Sequence, residues 1–389
     1  MKSVTALAAL AALVGACADP STEVSAPRIV HASFALALAS DPGIRVMKDL
    51  ANPRGLAWGP EGTLYVAEAG RGGPLVPGPC FENGGTVCYG ATGGVSRLRN
   101  GRQERVISDM PSYAQVNSGR AEGPNSISLH GNGGAYVTIG LETDPAVVRA
   151  GAAEWGQFAR LVRISPSALA PGHDASPSRH SWEFVADLGQ YEIDVNPDCG
   201  DIDSNPFGVL AEDGGVIVAD AGANAFVRRA ANGDLSNFAV FSNNTTVPGP
   251  NCPPAATRDF VPTSIIIGPD GAYYIGHLNG LPILAGSSSV WRMEPGGSPQ
   301  VFRTGFTWII SLAFDATGNL YVLQHSDGPF TNSGGSLVRV APDGTRATVL
   351  SGLTRPGGVA VDPDGAVYIS MVSGMNFKGP GEVRRYIIP

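Results

Sequence analysis

Six short apolar runs in this chain are each followed at once by a residue of one column: Glu68, Ile139, Asp220, His277, Gln324 and Met371. Four of the six are polar. His325 stands one place beyond Gln324, and Asn125 and Asn205 stand where two other apolar runs begin. Carboxylates, imidazoles and amides of this kind hold a cation, a water cluster or a polar ligand if the fold brings them to one place. Carboxylates brought together repel unless water, a cation or a proton intervenes. The same residue types also cap strand ends. The column therefore carries two readings, a ligand-binding ring and a set of solvated strand ends.

A second cluster lies between the runs. Asp194, Asn196, Asp198 and Asp203 offer oxygen ligands at mostly alternate positions, which suits a divalent, calcium-like cation. The stretch departs from an EF-hand loop. Gly200 comes one place late, Pro197 takes the fourth position, and Asn205 replaces the closing glutamate. The competing reading is an acidic loop anchored by a disulfide. Motifs for other chemistries are missing: there is no G-x-S-x-G elbow, H-E-x-x-H pair or GK[ST] loop. Aromatic residues Phe81, Tyr89, Trp155, Tyr191, Phe207 and Trp308 fall near the same insertions and suit either a flat ligand or loop packing.

The elements that must position these groups follow from a repeat. Segments beginning at Gly55, Ser126, Gly208, Ser264, Ser311 and Gly358 share one pattern: an apolar strand A, a Gly/Asp/Asn turn, then an apolar strand B. The B strands begin at Leu64, Ala135, Val216, Tyr273, Leu320 and Val367, so the spacings are 71, 81, 57, 47 and 47 residues. Two equal spacings give the bare unit, and the others carry insertions. Repeats of about 40–50 residues with several short strands each predict a β-propeller. Hairpin turns such as Asn100-Gly101 and Asn232-Gly233 complete four strands per unit. The last unit lacks one strand, and the segment Ile44–Leu50 has no partner of its own. The expected fold is therefore all-β: a six-bladed β-propeller of four-stranded blades, closed by the N-terminal strand 44–50 pairing with 382–388 of the last blade.

The A–B hairpins are plain turns, whereas most long insertions (70–93, 139–156, 188–205, 243–261, 277–288 and 325–335) open on the opposite face. Long loops gathered on one face of a rigid scaffold suggest a binding face. Asp144 followed by Pro145 predicts a capped helix over 145–156.

Lys2, the apolar stretch 4–14 and Val14-Gly15-Ala16-Cys17 read as a signal peptide over 1–16. The last four residues resemble a bacterial lipobox, with Cys17 as the lipidated N-terminus; cleavage after Ala18 also fits. Residues 17–43 read as a tether and 44–389 as the propeller. Cys80, Cys88, Cys199 and Cys252 form an even set that suits an exported chain. Of three connectivities, Cys80–Cys88 and Cys199–Cys252 are expected, since each pair closes or joins insertions on one face. Net charge is −8 over 389 residues, which argues against nucleic acid as a partner.

The stretches Tyr65–Gly70, Asp203–Gly208, Val218–Gly222 and Val261–Ser264, with the loop Cys80–Gly90, resemble the ScyD/ScyE family of exported propellers. The resemblance runs over roughly residues 48–387. It implies a six-bladed, NHL/TolB-like fold outside the cytoplasm, in the periplasm or at the outer surface. Six-bladed propeller enzymes of the regucalcin type place metal ligands at the starts of A strands. Those places here read Arg54, Asn125, Phe207, Thr263, Ile310 and Gly357, so that set is absent. The function expected is binding of a small molecule or protein partner on the insertion face by Glu68, Asn125, Asn205, Asp220, His277, Gln324 and His325. The alternative is an extracytoplasmic, metal-dependent enzyme of aromatic or pigment metabolism. A monomer is expected, meeting the membrane only through an N-terminal lipid.

Overall fold

The computed structural model describes residues 43–73, 78–129, 131, 133–170, 181–243, 252–329, 333–372 and 379–389. The signal peptide, the lipidation site Cys17 and the tether up to residue 42 lie outside the described residues.

Six antiparallel sheets make up the fold. Blade one runs Pro53–Gly59, Thr63–Glu68, Thr86–Arg99 and Arg102–Gln115 from the inside outward, and blade two runs Pro124–Leu129, Ala135–Ile139, Arg160–Ile164 and Trp182–Asp187. Blade three is Pro206–Glu212, Gly215–Asp220, Ala225–Ala230 and Leu235–Val240. Blade four is Pro262–Ile267, Tyr273–His277, Ser288–Met293 and Gln300–Phe306. Blade five is Ile309–Phe314, Leu320–Gln324, Gly335–Val340 and Arg346–Leu353. Blade six contributes Pro356–Val361, Val367–Val372 and Gly381–Tyr386, and its outer strand is Ile44–Leu50. Ile44 pairs with Arg385 and Leu50 with Gly381, so the N-terminal strand closes the ring as the missing-strand count requires.

Two columns in the A strands explain why the blades lock. The first residue is Pro53, Pro124, Pro206, Pro262, Ile309 or Pro356, and each pairs with the column residue, which ends strand B in five blades and is its penultimate residue, Met371, in the sixth. Proline is suited to the first residue of a strand, where its missing N–H breaks no ladder bond. The third residue beginning each repeat is Gly55, Ser126, Gly208, Ser264, Ser311 or Gly358. Only small residues fit there. A Cβ on Gly208 would sit 2.7 Å from the Thr263 carbonyl oxygen, and one on Gly358 would sit 2.6 Å from that of Arg54. The serines turn the close approach into bonds. Ser264 Oγ accepts from Leu312 N–H and Ser311 Oγ from Val359 N–H, both at 3.2 Å. Thr138 donates to the Phe207 carbonyl at 2.6 Å and Thr263 to that of Ile309 at 2.7 Å.

Apolar side chains pack between neighbouring blades, with Ile217, Ala219, Phe226, Ile265 and Ile275 as one example between blades three and four. B strands are almost wholly buried, and Thr63–Glu68 and Val367–Val372 are buried along their whole length. This is why they read as unbroken apolar runs.

The insertions depart from simple loops. In blade one residues 86–93 of the 70–93 insertion extend the outer hairpin, whose two strands reach fourteen residues each, and Cys80–Glu82 pairs along it. The helix expected over 145–156 starts as predicted, with the Asp144 carboxylate accepting from Ala146 and Val147 N–H, but it stops at Arg149. Gly151 follows, and a 3-10 turn, Ala153–Gln157, then buries Trp155. The stretch 188–205 opens with a helix, Leu188–Val195. Both expected disulfides are present, Cys80–Cys88 and Cys199–Cys252. No helix of the described residues is long and apolar enough to cross a membrane.

Candidate functional site at the tunnel mouth

The six A strands wall a central cavity of about 310 Å3. Its insertion-face end is lined by Asn125, Phe207, Thr263, Ile310 and Gly357, and its turn-face end by Trp58, Leu129 and Ala211.

The polar column lies at the ends of the B strands, behind the A strands that wall the cavity, and each member works within its own sector. Glu68 Oε2 accepts from Ala51 N–H at 2.6 Å, Oε1 accepts from Ser96, and Arg105 pairs with the carboxylate at 3.2 Å. Asp220 Oδ1 accepts from Asn205 N–H at 2.6 Å, and Oδ2 accepts from Ser204 at 2.7 Å. Burial raises Asp220 to about 6 despite these bonds. Gln324 Oε1 accepts from Thr307 N–H at 2.7 Å, and its amide donates to Asp327 and Ser336. Asp220, Glu68 and Gln324 therefore share one task. Each holds the connection that brings the chain back from an outer strand to the next A strand.

His277 does the same with a ring. Its Nδ1 lies 3.0 Å from the Phe260 carbonyl, and its Nε2 accepts from Ser289 N–H at 3.0 Å. A carbonyl can only accept, so Nδ1 carries the proton and the ring is neutral. Burial lowers its pKa to about 4. The Phe260 ring stacks on it at 4.1 Å.

His325 differs. Its Nδ1 donates to the Pro356 carbonyl at 2.9 Å, and Trp308 stacks over it at 5.7 Å. Among the described residues its Nε2 has no hydrogen-bond partner. Burial, with smaller contributions from Arg54 and Arg355, lowers it to about 4. Near neutral pH the ring thus offers a bare acceptor beside two guanidinium groups.

The fold does bring Asn125 and Asn205 together. A Cβ on Gly140 would fall 2.3 Å from Asn125 Nδ2, 2.5 Å from Asn205 Oδ1 and 2.7 Å from Glu122 Oε2. Asn205 Oδ1 accepts from Leu141 N–H at 3.2 Å. Asn125 Nδ2 donates to Glu122 and to the Pro206 carbonyl, while its Oδ1 is buried without a partner. Trp308 Nε1 is likewise buried without a partner. Glu122 is buried and pairs with Arg54 at 3.3 Å. Glu122 belongs to no repeat or motif in the sequence, and Arg54 marks only the start of an A strand. The signal the sequence offers is a charged residue two places before an apolar strand.

The four residues read as a calcium-type loop are not gathered as one ligand set. Asp194 lies exposed on the helix and accepts from Gln190 Nε2. Asn196 caps the helix in the left-handed region and donates to the Gly200 carbonyl. Asp198 is buried and accepts from Gly200 N–H and Asn224 Nδ2. Asp203 is half-buried, and desolvation, with a smaller contribution from Asp220, raises it to about 7. Among the described residues no group of three or more His, Cys, Asp or Glu side chains has metal-holding geometry. The aromatic residues divide. Phe81, Tyr89 and Trp155 pack on one another and on Tyr113 and Phe158, which makes them loop core. Phe207 lines the cavity, and Trp308 stacks on His325.

No protein-family model matches the chain, and no curated protein matches it in sequence. Solved structures do. A Bacteroides thetaiotaomicron protein of unknown function aligns with a TM-score of 0.51 at 12% identity, over 87% of this chain and 70% of that one. Virginiamycin B lyase from Staphylococcus aureus aligns at 0.42 and 12% identity, over 87% and 85% of the two chains. A luciferin-regenerating enzyme aligns at 0.48 and 10% identity, over 88% and 93%. At these identities the likeness is one of fold, a propeller.

Proposed function

We propose that this protein binds a small polar molecule at the insertion-face mouth of its central tunnel. The observation that carries the reading is the buried, unpartnered Oδ1 of Asn125, a residue that lines the 310 Å3 cavity. A buried acceptor left alone costs free energy, so a hydroxyl or N–H group of a ligand satisfies it. The Trp308 indole N–H is likewise buried without a partner, and His325 Nε2, on the ring that Trp308 stacks on, is a second acceptor. Arg54 and Arg355 add positive charge near His325. These atoms suit a small molecule carrying both hydroxyl and acidic groups better than a flat protein surface. The two disulfides are consistent with an extracellular location, and the resemblance to ScyD/ScyE proteins supports an exported propeller of that kind, anchored through Cys17.

A second reading is an enzyme of aromatic or secondary metabolism. One observation favours it: neutral His325 offers a bare Nε2 as a hydrogen-bond acceptor for a substrate hydroxyl, beside two guanidinium groups that can stabilise a developing anion. The test is a thermal-shift screen against small hydroxylated carboxylic acids and phenols. Hits should lose their effect in Asn125→Ala and His325→Phe and keep it in Asp213→Asn with Asp364→Asn, which alter turn-face aspartates only. Hits indifferent to the mouth variants, or lost in the turn-face variant, refute the placement.

A further inference from the structure

A separate cavity of about 540 Å3 lies between blades two and three, at the level of the turn face. On the blade-two side Tyr136, Arg163 and Glu183 stand directly opposite one another on neighbouring strands. On the blade-three side the wall is the A–B turn, with Gly214 and Gly215, and the end of the third strand, with Arg229 and, just past it, Ala231. The two glycines keep this wall bare. A Cβ on Gly215 would sit 2.4 Å from the Arg229 carbonyl oxygen, and Gly214, at φ +94°, has nothing within 4 Å of where its Cβ would be.

Each carboxylate that lines the cavity already has its cation. Arg163 gives its guanidinium to Glu183, with Nε and Nη2 at 2.9 and 2.7 Å from one carboxylate oxygen. Glu212 accepts from Arg228 at one oxygen and, at 2.7 Å, from the Tyr273 hydroxyl at the other. Arg229 is left over. Its Nε donates to the Val185 carbonyl across the blade joint at 2.9 Å, and its Nη1 donates to the Ala230 carbonyl at 3.3 Å. Among the described residues it pairs with no carboxylate, and its Nη2 makes no hydrogen bond. Two backbone carbonyls thus fix a half-buried guanidinium and leave the Nη2 donors unused. A cation already held in one orientation loses little freedom on taking an anionic oxygen.

We infer that this cavity binds a small aromatic monocarboxylate, with the carboxylate on Arg229 Nη2 and the ring against Tyr136 and Phe184. Both aromatic residues line the cavity, and Phe184 is 38% exposed. An open aromatic surface beside one uncommitted cation matches the two parts of such a ligand. The single free charge favours a monoanion, and Glu183 at the rim repels a dianion. The volume falls within the range of about 300–1,000 Å3 usual for small-molecule sites. The inference stands independently of the tunnel mouth, which opens on the opposite face.

The experiment is a ligand-observed NMR titration of the full chain with sodium benzoate at pH 7.5, with benzamide as the uncharged match. Benzoate should bind about tenfold or more tightly than benzamide, the worth of a charge-assisted hydrogen bond. Affinity for benzoate should fall by a similar factor in Arg229→Gln. That change also removes the bond to Val185, so urea unfolding checks the fold. Ala231→Trp fills the cavity and leaves Arg229 in place, so it gives an independent reading, with the same loss expected. Glu183→Gln removes a negative charge from the rim and releases Arg163, so affinity should rise by about twofold to fivefold. His325→Phe, at the tunnel mouth, should leave benzoate binding unchanged. The absence of benzoate binding, equal binding of benzamide, unchanged affinity in Ala231→Trp or in a folded Arg229→Gln, weaker binding in Glu183→Gln, or a loss in His325→Phe overturns the inference.

Discussion

His277 should make the folded state selectively sensitive to mild acid. Both ring nitrogens are committed, Nδ1–H to the Phe260 carbonyl and Nε2 to the Ser289 N–H. Protonating Nε2 would turn an acceptor toward a donor and put a charge into a buried site. The influences on the ring are burial, which dominates, and bonds to Phe260 and Asn279; no charged group offsets the burial. The folded value of about 4 lies below the unfolded value of 6.5. Between those values the unfolded chain holds more protons than the folded one, so this contribution to stability falls as pH falls. It is complete above pH 6.5 and weakened by about 3 kcal/mol at pH 4, since each tenfold loss of proton affinity on folding is worth about 1.4 kcal/mol. Asp220 and Asp203, raised by burial, contribute with the opposite sign and lose stability as pH rises through their folded values. The assay must therefore be a difference. Urea unfolding of the wild type and of His277→Gln should be compared at pH 7.5 and pH 4 in chelator. The variant should be less stable at pH 7.5 by about 1–3 kcal/mol, from broken buried hydrogen bonds. That gap should shrink by about 3 kcal/mol at pH 4, closing or reversing. A gap that does not change with pH refutes the assigned tautomer and its burial.

Two further outcomes follow from the same geometry. Gly140→Ala should disturb the Asn125, Asn205 and Glu122 group, because its Cβ would lie 2.3 Å from Asn125 Nδ2. Overpacking of that kind costs about 1–3 kcal/mol in denaturant unfolding and should abolish the mouth-dependent hits of the ligand screen. Replacing Cys199 and Cys252 together by alanine should cost about 2–4 kcal/mol, because the bridge closes a span of 53 residues. A non-reducing peptide map is the direct check on that pairing.

The blades were legible because the repeat is imposed by packing. B strands buried on both faces must be apolar at successive positions, and that requirement marks their ends and their spacing. Closure by Ile44–Leu50 followed from counting strands, since an unpaired strand and an incomplete blade can satisfy only each other. The small-residue column Gly55, Ser126, Gly208, Ser264, Ser311, Gly358 was visible as the opening letter of every repeat, but its purpose needed the neighbouring strand. The site was less legible because polarity at a strand end has two causes. Glu68, Asp220, His277 and Gln324 use their atoms on the backbone of an adjacent connection, which no spacing reveals. Glu122 gives no repeating signal at all. The alternating oxygens of 194–203 suggested a loop, but helix formation over Leu188–Val195 turned Asp194 outward and Glu192 inward.

The contrast between the two histidines shows how such a ring separates stability from recognition. Each follows a B strand, each is neutral, and each gives its Nδ1 proton to a backbone carbonyl just before or at the start of an A strand. His277 closes its second nitrogen on Ser289, and no valence remains for a ligand. His325, displaced by one residue, has its column task taken over by Gln324, whose amide satisfies Thr307, Asp327 and Ser336. That substitution of roles frees the imidazole. A polar residue in the column is therefore evidence of a latch, and a second polar residue directly after it is the better indicator of a group available for chemistry.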